Sequence, residues 1–273
     1  MAKGSNPVFK SATFQDQLKA GMAANSFESP NDQTLNDMYS AKAPAGMTLN
    51  DVLNKLVIMF IGVLGGGLVG WFLVSRAAAN GTSFSTPMGF AMAAGIAALV
   101  IGIVNQVKRV ASPLLSVLYS VLEGFLLGTL SGVLEIQWPG IALQAVLGTG
   151  VVFAVVMVLF RSGKFRTSPK SRRIMTIVGF AFVGFLLING LMGLFGGGMN
   201  TWTGWLGVGI GAIGICIGAF YLVSDFEDIQ SAVQNGAPKN FAWRCAFGLT
   251  LSIVWIYVEM LRLIASLRSL AGD

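Results

Sequence analysis

Residues 201–230 read TWTGWLGVGIGAIGICIGAFYLVSDFEDIQ. No charge interrupts 201–224, and then Asp225, Glu227 and Asp228 follow within four residues. An uncharged run of this length matches the ~20 apolar residues a helix needs to cross a bilayer. Working outward, similar runs occupy 52–75, 88–106, 113–134, 141–160, 174–195 and 241–267, so the sequence predicts seven membrane-crossing helices. Composition agrees. The 273 residues are 54% hydrophobic and 11% charged, whereas a soluble domain carries roughly 25% charged residues. The mean hydropathy is +0.72. The expected fold is an all-α membrane protein. Residues 1–50 form a polar tail with too little apolar surface to fold alone, and 51–273 form the membrane domain.

The net charge of +6 does not point to nucleic acid, because its cations flank the apolar runs as topology determinants do. Lys3, Lys10, Lys19, Lys42 and Lys55 precede or open the first run. Lys108 and Arg109, then Arg161 to Arg173, then Lys239 and Arg244 fall in alternate connections. The positive-inside rule therefore predicts a cytoplasmic N-terminus and a multi-pass protein of the cell (inner or plasma) membrane. Arg262 and Arg268 in the last run oppose seven spans slightly and keep a six-span or re-entrant variant open. The N-terminus shows no basic region followed by an apolar stretch, so no cleavable signal peptide is expected. Glycines four apart (Gly62, Gly66 and Gly70; Gly124, Gly128 and Gly132; Gly207 and Gly211; Gly214 and Gly218) read first as close helix packing in lipid. Cys216 and Cys245 lack metal-ligand or pairing spacing and read as small core residues.

Acids inside apolar runs carry the chemistry. An ionised carboxylate there costs several kcal/mol, or takes up a proton. Glu123 in YSVLEGFLLG, Asp225 in YLVSDFEDIQ and Glu259 in WIYVEMLRLIASL are the candidates. Each has a plain alternative: a helix–helix hydrogen bond for Glu123, a boundary acid for Asp225, and an ion pair with Arg262, three residues on, for Glu259. Glu227 and Asp228 read as a solvated helix end.

The Asp closing the sixth run, the polar turn, and the stretch from Trp255 to Arg268 resemble the transmembrane Bax-inhibitor-motif family, which includes Bax inhibitor one and bacterial relatives. YSVLEG at 119–124 resembles that family's third span, while GSNPVFKS and QNGAPKNFAW are similar to an actinobacterial branch. The resemblance implies that the last helix is central and wrapped by the other six. It also implies a pH-sensitive calcium or cation leak channel, gated by a carboxylate pair at Asp225 and Glu259, which would also be the metal-binding oxygens. Beside that pair, Glu123 is kept as a candidate third acid of the ion pathway. A basic latch at the end of the second span falls on Lys108, with Arg109 the alternative. Expected partners are the bilayer, calcium ions and protons; no cofactor and no nucleic acid are expected. The family offers an alternative function, a non-conducting membrane regulator or scaffold of the stress or cell-death-suppressor type.

Two carboxylates at one site cannot both ionise cheaply. With no histidine in the chain, titration near neutral pH falls to such acids, and hard cations prefer oxygen ligands. Depth is the difficulty. In a straight hairpin turning at QNGAP, Asp225 and Glu259 differ in level by about 16 Å, whereas Glu123 is level with Asp225. Enzyme classes fare poorly: 241–267 holds no lysine for a retinal Schiff base, and neither H-E-x-x-H nor Gly-x-Gly-Asp is present. No enzyme activity is expected.

Overall fold

The computed structural model describes residues 46–108, 111–163, 166–194, 196–197 and 199–272. Most of the expected tail, with Arg109 and Lys164, lies outside these. The described residues form seven helices: α1 (Leu49–Ala79), α2 (Ser85–Val107), α3 (Pro113–Gln137), α4 (Ile141–Arg161), α5 (Pro169–Leu194), α6 (Gly204–Gln234) and α7 (Phe241–Ala271). All seven are long and apolar enough to cross a membrane. Each coincides with one predicted run, and most ends reach beyond it, because polar residues at a membrane surface continue a helix as readily as they end one; α6 instead begins at Gly204, inside the 201–224 run, and α5 ends at Leu194.

Local chemistry sets the boundaries. Thr48 caps α1: the Asp51 amide donates to Thr48 Oγ1 at 3.2 Å, and the Thr48 amide donates to Asp51 Oδ2 at 2.9 Å. This reciprocal box satisfies donors the helix leaves orphaned. Pro113 opens α3, where its missing N–H costs nothing. Gly140 has φ +86 in the α3–α4 turn, a conformation only glycine adopts freely. Glu135 stabilises that turn by accepting from the amides of Gly140 at 2.6 Å and Ala142 at 3.1 Å.

Glycine decides the packing. A Cβ on Gly124 would lie 2.7 Å from Val63 Cα, and one on Gly128 would lie 2.5 Å from Gly67 Cα. The α1 and α3 backbones therefore touch, as close approach in lipid requires of small residues. On α6, Gly211 lies against the α7 backbone, while Gly207, Gly214 and Gly218 make room for the α7 side chains of Ser266, Glu259 and Ile256. α7 packs on α6, α1, α4 and α3. It reaches α5 through the Phe182–Trp255 ring pair at 5.6 Å. It reaches α2 where Phe247 faces Gly102. The last helix is thus central. Phe247, Leu261 and Ile256 on it are fully buried, while Leu68, Phe180 and Trp205 point outward. Such outward apolar side chains fit hydrocarbon, so the bundle lives in a lipid bilayer as a multi-pass membrane protein. Cys245 is buried as expected, but Cys216 is exposed: its side of α6 turns away from α7.

Candidate functional site

The α6–α7 hairpin carries two of the three candidate acids. α6 runs unbroken to Gln234, the chain turns through 235–240, and α7 begins at Phe241. Gly236 supplies the turn at φ +64. Ahead of α1, Met47 is tied to this turn by its amide, which donates to Ala237 O at 2.7 Å.

Asp225 is half-buried on α6 and faces α7. Ser252 Oγ donates to its Oδ2 at 2.5 Å. A Cβ on Gly248 would sit 3.0 Å from its Oδ1. No ion pair joins it to any described cation. Glu259 lies elsewhere. Arg262 Nη1 donates to Glu259 Oε2 at 2.7 Å, and both side chains are buried, at 5% and 3% exposure. The carboxylate rests on Gly214, where a Cβ would come within 2.6 Å of Oε2. The guanidinium lies over the Trp202 ring at 4.9 Å. The levels set by Ser252 and Glu259 on α7 differ by seven residues, and those set by Gly214 and Asp225 on α6 by eleven. The two carboxylates are therefore about 10–16 Å apart along the hairpin. The expected shared pair, and with it a shared metal site, is not formed. Both helices of the hairpin run unbroken, and the separation agrees with the depth calculation, which assumed a straight hairpin. Among the described residues no group of three His, Cys, Asp or Glu side chains could hold a metal ion.

Glu123 is half-buried on α3, one turn from Tyr119, whose ring meets Phe247 of α7 edge-on at 4.9 Å. No described side chain pairs with it. Lys108 is the C-cap of α2. It is exposed there and makes no ion pair among the described residues, so it does not latch either acid. The physical reason is its position. Asn105 turns the chain just before it, accepting from the Ser112 amide at 2.9 Å and donating to Ser116 at 3.0 Å, and Lys108 is left on the surface. The alternative latch, Arg109, lies outside the described residues.

A clasp absent from the sequence expectations joins α5 to α6. Arg172 Nη2 donates to Glu227 at 2.9 Å, Nη1 to Asp228 at 2.6 Å and Nε to Thr167 Oγ1 at 2.7 Å. The Thr167 amide donates to Glu227 Oε1 at 2.8 Å, and its hydroxyl donates to Oε2. Glu227 is thus a bonded, mostly buried acid and not the solvated one expected, whereas the Asp228 side chain keeps 60% exposure. The signal available in the sequence was the coincidence of a basic α4–α5 connection with acids at the same end of α6. The partners could not be named, because Arg161, Arg166, Lys170 and Arg173 compete for the assignment.

The chemistry divides cleanly. Glu259 has a counter-ion, Glu227 and Asp228 share one, and among the described residues neither Asp225 nor Glu123 forms an ion pair. A search of curated proteins gives no match to this chain. Compared with known families, residues 6–269 match Bax inhibitor 1 like, and the chain belongs to that family.

Proposed function

We propose that the protein is a pH-sensitive cation leak, calcium among the ions passed, with Asp225 as the proton-responsive group and Glu123 as a second acid of the pathway. One observation carries this: Asp225 sits between two membrane helices with a hydroxyl as its only hydrogen-bond partner among the described residues. An intramembrane acid without a counter-ion marks a functional site by default. Glu259 is paired with Arg262, so we assign the sensing role to Asp225.

The sign follows from charge. At low pH a protonated Asp225 is neutral and holds no cation. As pH rises, its ionised form attracts cations to the α6–α7 seam and flux increases. Calcium suits carboxylate and hydroxyl oxygens, and so sparse a ligand set favours transit over storage. We place the basic end of the bundle, with the N-terminus, in the cytoplasm of the cell membrane by the positive-inside rule. The reading assigns no catalytic step and no cofactor.

Reconstitution into liposomes loaded with a calcium dye tests it. Flux should rise with pH in the wild type and stay at its low-pH level in Asp225→Asn. Identical pH profiles for the two proteins would overturn the assignment. Absence of flux at every pH, from folded protein, would favour the non-conducting regulator. A separate cavity of about 650 Å³ between α1 and α4 includes none of the acids in its lining and bears on neither reading.

A further inference from the structure

Between Glu135 and Asp225 the chain holds no acid, yet six cations fall within 161–173. Five of them are described: Arg161 closes α4, Arg166 lies in the connection, and Lys170, Arg172 and Arg173 lie in the first turns of α5.

The connection is seated on α6. Arg166 donates to Gln230 at 3.1 Å, and Arg172 takes up both Glu227 and Asp228. Arg161, Lys170 and Arg173 are left exposed, with no ion pair among the described residues. Lys170 and Arg173, three residues apart, share one side of α5. At about 100° per residue that side is turned away from Arg172, which faces α6.

Two features select the occupant. The cations call for an anion, and beside them Val158, Leu159, Ile174 and Ile177 are exposed at the ends of two membrane-crossing helices. A phospholipid offers a phosphate next to hydrocarbon; a dissolved polyanion offers only the phosphate. Three cations without acids also repel the ammonium of a zwitterionic headgroup. The fit is therefore to a headgroup of net negative charge, which basic clusters beside a membrane span attract. The position of α5 gives the contact a consequence. It is the least buried of the seven helices and packs to any extent on α6 alone, so a headgroup held by Lys170 and Arg173 adds a second tie beside the Arg172 clasp.

We propose that the face formed by Arg161, Lys170 and Arg173 binds the phosphate of an anionic phospholipid from the leaflet at this end of the bundle. The site is separate from Asp225 and does not depend on the leak.

The test uses the full chain in nanodiscs of phosphatidylcholine with a minor share of phosphatidylglycerol. Native mass spectrometry of the released protein should find phosphatidylglycerol retained several-fold above its share of the disc. Raising the salt should shrink this enrichment, because the screening length falls from about 10 Å at 0.1 M to about 3 Å at 1 M. The triple variant Arg161→Gln, Lys170→Gln, Arg173→Gln should lower it several-fold, whereas Arg76→Gln with Arg268→Gln, at the other end of the bundle, should leave it unchanged. Equal enrichment in the triple variant and the wild type, or equal loss in both variants, overturns the proposal. If the triple variant does not fold, hydrogen exchange of the wild type decides alone: 166–176 should exchange several-fold more slowly in the mixed discs than in pure phosphatidylcholine. No slowing there, or the same slowing from dissolved glycerol phosphate around pure phosphatidylcholine discs, overturns it.

Discussion

Removing one partner of the Glu259–Arg262 pair should be among the most destabilising single changes in this bundle. The two side chains retain 3% and 5% exposure, and they meet at 2.7 Å. Arg262 Nε, also buried, has no hydrogen-bond partner among the described residues, so Glu259 and the Trp202 ring carry most of the stabilisation of this cation. In Glu259→Gln the guanidinium remains with no counter-ion among its neighbours, and breaking a buried pair in this way costs about 3–5 kcal/mol. Arg262→Met strands the carboxylate and should cost a similar amount. It also loses the cation–π contact at 4.9 Å, worth up to about 2 kcal/mol when desolvated. Replacing both, Glu259→Leu with Arg262→Met, removes the charges together and should recover most of the loss, because a buried pair exchanged for apolar groups of like volume is often neutral or stabilising. The assay is denaturant or thermal unfolding of purified protein in one mild detergent, analysed as a double-mutant cycle. A coupling below about 0.5 kcal/mol, within the additivity expected of independent sites, would refute the reasoning. So would a double variant as unstable as the worse single variant.

Other changes separate packing from function. Gly128→Val should prevent α1 from closing on α3, because even a Cβ there would lie 2.5 Å from Gly67 Cα; overpacking of this kind costs about 1–3 kcal/mol or more, read as a lower unfolding midpoint beside an unaffected Gly89→Val control. Arg172→Ala should loosen α5 without unfolding the bundle, since the clasp is half at the surface and α5 packs on α6 alone to any extent; faster hydrogen exchange confined to 169–180 would show it, and unchanged exchange would count against it. The Glu259→Gln variant that still folds should keep the wild-type dependence of cation flux on pH, in contrast to Asp225→Asn, because Glu259 is held by Arg262 at another level of the α6–α7 seam.

Much of this protein was decided by sequence alone. Hydrophobic length fixes seven spans, because a helix rising 1.5 Å per residue must satisfy its own backbone across the hydrocarbon. The glycine spacings announced close helix packing, since small residues four apart lie on one helix face, while the fold decided that α1 meets α3 and α6 meets α7 there. The candidate acids were visible because charge is rare in such runs. Their partnerships were not. The same spacing left Glu259 free to pair with Arg262 on its own helix or with Asp225 across the hairpin, and a level difference of about 10–16 Å made the first the outcome. Ser252 became the neighbour of Asp225 through the register of α7 on α6, which no local pattern encodes. Arg172 was one of several cations near Glu227, and only the approach of α5 to α6 selected it. The groove between α1 and α4 had no sequence signal at all: an empty volume belongs to the arrangement of helices, and residues as far apart as Leu56 and Tyr257 line it only because the chain folds back on itself.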